Sequence, residues 1–183
     1  MKFTLVKKGI LIAILNCCFF SCSSDLDFEQ AKDFNIQPVA TTNLAYFNAD
    51  SSDFISNGLE KPFFSYTANV DFLNTPFVKE DLIKAELYFR IKNTIPRAYS
   101  YYVTFLDINE SAIYRIKMDI AAYNGDEVVL EKTETFAQEN LAILQNTTKM
   151  VFSILMHSGT SITETTPGRV ELSSSITAYF DVE

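Results

Sequence analysis

The amino-acid sequence predicts a mostly β protein: an antiparallel β-sandwich of about seven strands with one short helix, preceded by an export leader and a flexible tether. Three observations predict it. Apolar and polar residues alternate with period two in five stretches between residues 64 and 182, the pattern of sheets with one face on a core and the other in water. Sixteen Phe and nine Tyr with no Trp suit pleated, half-buried surfaces. Breaks such as Asn57-Gly58, Asn124-Gly125 and Pro167-Gly168 fall between those stretches and carry turn chemistry.

In chain order, residues 1–21 read as a secretory leader. Lys2, Lys7 and Lys8 form a positive start, and residues 10–20, "ILIAILNCCFF", are apolar except for Asn16. About eleven residues fall short of the roughly 20 that span a bilayer and fit the core of an export signal. Cys17 and Cys18 lie inside the run, whereas Cys22 stands at its end behind Ser21. Cleavage before Cys22 leaves it as the first residue and the sole cysteine of the mature chain. No intramolecular disulfide can then form, and a bare thiol is a liability in an oxidising compartment. A thioether to diacylglycerol consumes it.

The stretch "FFSC" (residues 19–22) resembles a bacterial lipoprotein signal, with Phe20 where a smaller residue is usual. The resemblance implies lipidation of Cys22, with palmitate among the acyl chains, and anchoring in an outer membrane. Two or three chains at roughly 0.8 kcal/mol per buried methylene dissociate slowly if at all. "SSDLDFE" follows, with Ser23, Ser24, Asp25, Asp27 and Glu29. It resembles the short acidic export signal of Bacteroidota surface lipoproteins, which implies a domain facing the cell exterior. A solvated acidic tether is the plainer alternative. Residues 22–40 show no sustained period and Pro38 interrupts them. They read as an acidic flexible tether that, at about 3.3 Å per residue, reaches roughly 60 Å.

Residues 41–183 form the sandwich domain. A weak strand is expected over 43–49, then strands over 64–72, 84–92, 99–105, 113–120 and 169–182. Residues 150–156, apolar at nearly every position, are expected to form a central strand covered on both faces. Ala137, Leu141 and Leu144 fall at i, i+4 and i+7, which predicts the helix, with Thr133 or Thr135 as its cap. The segment "DLIKAELYFRIKNTIPRAYSYYVTFLD" (residues 81–107) resembles the immunoglobulin-like sandwich modules of Bacteroidota lipoproteins, which have an apolar strand ending in an Asn-Thr-x-Pro corner. It implies that fold and carries no activity with it.

Charge narrows the partners. The formal charge is −8, and losing Lys2, Lys7 and Lys8 with the leader, but no acid, takes it to −11. So acidic a chain repels nucleic acid backbones and anionic head groups. Candidate chemistry is sparse. His157, the single histidine, could serve as base beside Ser158 or Ser153 in a Ser-His-Asp arrangement, but no G-x-S-x-G elbow occurs. One histidine and one lipidated cysteine do not supply a zinc site. "DINES" (107–111) and "YNGDE" (123–127) offer oxygens without the spacing of a calcium loop and read as hairpin turns. No cofactor, metal or catalytic residue is assigned. Tyr88 and Tyr102 fall on faces assigned to solvent, where tyrosine can stack on sugars or anchor an interface. Packing of two neighbouring tyrosines across strands is the ordinary alternative.

The expectation is therefore a lipid-anchored, non-enzymatic binding or accessory protein beside an integral outer-membrane protein. A glycan-binding surface lipoprotein that captures polysaccharide is the alternative, and a carboxylate-dependent hydrolase ranks behind both.

Overall fold

The computed structural model describes residues 36–182. The leader, Cys22 and the export-signal residues Ser23, Ser24, Asp25, Asp27 and Glu29 lie outside them. The β domain begins at Ile36, a few residues before the expected boundary at 41. Ile36 bridges to Val182, so the first and last described residues are stitched together.

Eight long strands and a two-residue hairpin make up the domain. Their order is β1 (Val39–Asp50), β2 (Ile55–Ser56), β3 (Leu59–Glu60), β4 (Phe63–Asn69), β5 (Leu82–Asn93), β6 (Tyr99–Leu106), β7 (Ala112–Ile120), β8 (Val128–Ala137), β9 (Lys149–Met156) and β10 (Arg169–Phe180). Two short helices, α1 (Pro76–Asp81) and α2 (Leu141–Gln145), close connections at one end. The first sheet runs β1-β10-β5-β8 and the second β4-β9-β6-β7, while β2 and β3 pair with each other. All the pairings are antiparallel. Aromatic contacts bind sheet to sheet: Phe47 of β1 lies 5.9 Å from Phe64 of β4, and Phe105 of β6 lies 5.7 Å from Phe136 of β8.

The period-two reading of the core is borne out in β5, β6, β7 and β10, but not in β4, which ends at Asn69 and leaves Tyr66 (50%) and Phe72 (46%) exposed where the alternation placed them inward. Leu87, Phe89 and Ile91 of β5, Tyr101, Val103 and Phe105 of β6, and Val170, Leu172 and Ile176 of β10 are all buried. Alternation fixes which side of each strand faces the core, because successive side chains must point to opposite faces.

The immunoglobulin-like expectation is corrected. That fold sets four strands against three, with several consecutive strands paired in one sheet. Here two sheets of four face each other, and every successive long strand crosses to the other sheet except the β6–β7 hairpin. Eight strands in this order form a jelly roll. The long strand missing from the sequence reading is β8, and the short β2–β3 pair is missing with it. The core-side positions of β8 include Lys132 and Glu134, which break the apolar period, yet they sit opposite buried Phe89 and Leu87 of β5. Charges turned inward on an edge strand deter pairing with another chain.

Two further expectations change. Thr133 and Thr135 belong to β8 and cap nothing; the helix starts at Leu141, behind Asn140. Strand β9 is interior in its sheet, as expected, but its outer face is not covered among the described residues. Val151 and Ser153 are half-buried and Leu155 is 38% exposed. The strand buried most fully on both faces is β6, whose outward Ser100 and Thr104 are too short to rise above larger neighbours.

Candidate functional site

The outer face of the second sheet holds the candidate site, and register places its residues in rows. Phe63 of β4, Leu155 of β9, Ser100 of β6 and Asp119 of β7 form one row. Ser65, Ser153, Tyr102 and Lys117 form the next, and Thr67, Val151, Thr104 and Arg115 the third. Phe63 is 49% exposed. Phe63, Tyr102, Thr104, Arg115 and Ser153 line a shallow cavity of about 260 Å³. The Arg115 guanidinium carbon lies 5.8 Å from the Tyr102 ring centroid, and Arg115 Nε donates to Thr104 Oγ1 at 3.1 Å. Two aromatic rings, one cation and a group of hydroxyls therefore share a water-facing groove, a composition suited to binding.

Tyr88 is not part of it. It sits on the outer face of the first sheet, opposite Ser175 of β10 and Thr133 of β8. Tyr88 and Tyr102 are both half-buried and face water, as expected, but from opposite sides of the sandwich. They are neither packing neighbours nor one surface. Burial pushes the Tyr88 hydroxyl's pKa up, and hydrogen bonding to Glu131 adds to it.

His157 meets neither Ser153 nor Ser158. Its Nε2 lies 2.8 Å from the hydroxyl of Ser100, which donates to Asp119 Oδ1 at 2.5 Å. The Ser100 hydroxyl, followed by Lys117, holds the Asp119 carboxyl below the usual range. The serine O–H is therefore committed to the carboxylate as a hydrogen-bond donor, and Nε2–H donates to the serine oxygen. A nucleophilic serine needs the reverse, with its proton passing to the histidine. Ser100 is also only 2% exposed. This constellation pins the rim of the groove.

Sequence reasoning did not find the strongest polar cluster. Arg97, 4% exposed, uses all five of its donors. It pairs with Glu60 of the β2–β3 hairpin at 2.8 and 3.1 Å, and reaches the carbonyls of His157 at 2.9 and 2.5 Å and of Thr160 at 2.8 Å. Asn93, wholly buried, sets up the corner before it. Its amide donates to Arg97 O at 2.7 Å and Ala121 O at 2.8 Å, and its oxygen accepts from Ile95 N at 2.9 Å. The "NTIP" motif marked a corner; the arginine four residues on gave no signal, because its partners come from distant segments.

Three other acids are also held low. The Ile162 backbone N–H holds Glu60 below the ordinary value of 4.5, Lys84 lowers Glu86, and Lys149 lowers Glu110. A hydrolytic general acid requires the opposite shift. The described residues hold no group of three or more His, Cys, Asp or Glu that could hold a metal ion. "DINES" is a hairpin turn whose Asp107 accepts from the backbone of Asn109 at 2.9 Å and of Ser111 at 2.8 Å.

No family model matches the chain, and no curated protein matches it. Among solved structures, the chain is similar to the VP2 subviral particle of infectious bursal disease virus, with a TM-score of 0.49 and 12% identity over 78% of this chain and 32% of that one. It is also similar to a protein from Parabacteroides distasonis described as secreted, with a TM-score of 0.41 and 12% identity over 63% of this chain and 38% of the other. A third likeness is to desmodium yellow mottle tymovirus, at 0.35 and 11% over 82% and 91%. The chain spans about a third of the first two in length. None of these scores reaches 0.5.

Proposed function

We propose that this chain is a lipid-anchored, cell-surface, non-enzymatic binding protein that serves as an accessory subunit of an outer-membrane complex. The observation that carries the binding role is the uncovered outer face of the second sheet. Phe63 and Leu155 lie exposed beside Tyr102 and Arg115, around a strand interior to its sheet, where an isolated domain gains nothing from apolar side chains. Anchoring is supported by the leader pattern, by Cys22 as the mature chain's sole cysteine, and by the acidic residues behind it. Four acids held below their ordinary values and a serine whose O–H donates to a carboxylate weigh towards binding rather than hydrolysis.

The test is threefold. In the native host, labelled palmitate enters the wild-type chain and not Cys22→Ser. Protease shaving of intact cells removes the domain. Mild detergent recovers the chain with an integral membrane protein, and Leu155→Asp reduces that recovery. A sulfur found unmodified removes the anchor, and repeated recovery of the chain alone removes the accessory role.

A second reading, polysaccharide capture, is favoured by one feature: the Tyr102 ring borders a groove with Thr104 and Ser153 hydroxyls and the Arg115 guanidinium. Binding to polysaccharide arrays that falls on Tyr102→Ala and persists on Tyr88→Ala fits it. Flat isotherms for the wild type remove it.

A further inference from the structure

The end of the sandwich from which Ile36 leads back to the N-terminal residues differs in surface chemistry from the opposite end. It is built from segments 36–38, 70–81, 107–111, 138–148 and 181–182. Several contacts tie these together. Asp181 N donates to Asp81 O at 2.9 Å, Gln145 Nε2 donates to Lys79 O at 3.1 Å, and the Phe77 ring lies 4.8 Å from that of Phe180.

These segments expose four large apolar side chains, Ile36 (53%), Phe72 (46%), Phe77 (48%) and Ile108 (81%), where the connecting segments of the opposite end expose Leu59 alone. Ile108 is held out by a rigid turn, since Asp107 ties down the backbone N–H groups of Asn109 and Ser111. Beside Phe72, an apolar recess of about 150 Å³ opens between α1 and the β1 and β10 strands. The same segments carry seven acids and one base, Lys79. Asp71, Glu80, Asp81 and Glu139 make no ion pair among the described residues.

We propose that this end docks onto a protein whose contact surface is apolar and ringed by Lys and Arg. The apolar residues supply the contact that excludes water, and the acids choose the partner's sign. The same acids repel a bilayer of anionic lipid, which excludes direct seating on head groups. The partner's place follows from the chain's own course. Residues 22–35, at about 3.3 Å each, keep Ile36 within roughly 50 Å of position 22. The partner is therefore the extramembrane part of a protein at the membrane. That placement rests on the lipid-anchored reading above; the surface itself does not.

The test places a photo-crosslinking amino acid at 72, 77 or 108 of the full chain in its native host, with Tyr46 of β1 (66% exposed) and Val129 of β8 (40%) as control positions. The expected result is an adduct to one membrane protein from 72, 77 and 108 and none from 46 or 129. Glu80→Lys with Asp81→Lys should cut its yield about tenfold, as reversed charges across an interface require, while the purified variant melts within a few degrees of the wild type. Purified Cys22→Ser chain should not float with phosphatidylethanolamine–phosphatidylglycerol vesicles. Flotation transfers the surface to lipid and overturns the proposal. So does an adduct within the chain or to a second copy, or equal adducts from every position. Adducts from 63 and 155 alone overturn this docking end and leave the anchored binding protein standing. Retention of Cys22→Ser in the membrane with the 72, 77 and 108 adducts intact removes the anchor and leaves the docking end standing.

Discussion

Arg97 and Glu60 form a two-pronged ion pair, Nη1 to Oε1 at 2.8 Å and Nη2 to Oε2 at 3.1 Å, that fastens the β2–β3 hairpin to the end of β9. The guanidinium is buried, while the carboxylate keeps some contact with water. Its partners on two loops make it the tie for that end of the sandwich. Glu60 Oε1 also accepts from Ile162 N at 3.0 Å, which brings in the long connection to β10.

Breaking the tie is expected to be costly. Arg97→Ala strands Glu60 and three backbone carbonyl contacts and should lower unfolding free energy by about 3–5 kcal/mol, the range for splitting a buried pair. Arg97→Lys should recover only part, because an ammonium cannot reproduce the planar fork. Urea denaturation of the three chains checks this. A loss under about 0.5 kcal/mol for Arg97→Ala would place the pair among ordinary surface contacts.

The same pair sets a pH dependence. Glu60 lies below its ordinary value of 4.5 when folded, chiefly through the Ile162 N–H and also through Arg97. A lowered folded value favours the native state above 4.5, and that contribution disappears as pH falls through the folded value. Wild type should therefore exceed Glu60→Gln in melting temperature at pH 7, with the gap closing below pH 4.5. A gap that widens on acidification would reverse the sign.

Gly168 has no room for a side chain. Its φ is +115°, and a Cβ there would meet Thr94 O at 2.2 Å, where the strands entering and leaving the corner hydrogen-bond closely. Gly168→Ala should cost more than about 1 kcal/mol, because strain adds to the clash. Gly58, at φ +74° with open space around it, is the comparison, and Gly58→Ala should cost less. Thermal melts of both variants decide it.

Parity along β9 makes the sharpest contrast. Ile154 is buried and Leu155, its neighbour, is 38% exposed. Ile154→Ala should cost about 2–5 kcal/mol and Leu155→Ser about 0.5 kcal/mol or less. Leu155→Ser should instead weaken whatever complex forms on the groove. Equal destabilisation by both would mean that the outer face is covered.

Strand by strand, the faces were legible because period two is a local property. Phe89, Val103 and Ile176 announce the core through their immediate neighbours alone. β8 was not legible, since Lys132 and Glu134 occupy core-side positions that only an edge strand tolerates. Tyr114 shows how that edge is satisfied. Its hydroxyl donates to Glu134 at 2.6 Å, which, together with burial, pushes its pKa up to about 12.

Pairing was not legible either. β1 joins β10 across more than a hundred residues, and hydrophobic alternation favours any partner of matching face. The candidate site shared that limit. Tyr102 was visible as a half-exposed aromatic, but Phe63, Leu155 and Arg115 reach it only through register, and the same pairings carry Tyr88 to the far side.

The sequence by itself determined the β class, the inward face of most strands, the turn positions and the acidity, because each follows from residues within a few positions of one another. Tertiary structure alone decided the jelly-roll order, the Arg97 tie, the separation of the two tyrosines and the acidic, apolar end. Those depend on which distant strands share backbone hydrogen bonds, and a strand's own residues do not encode the partner that will accept them.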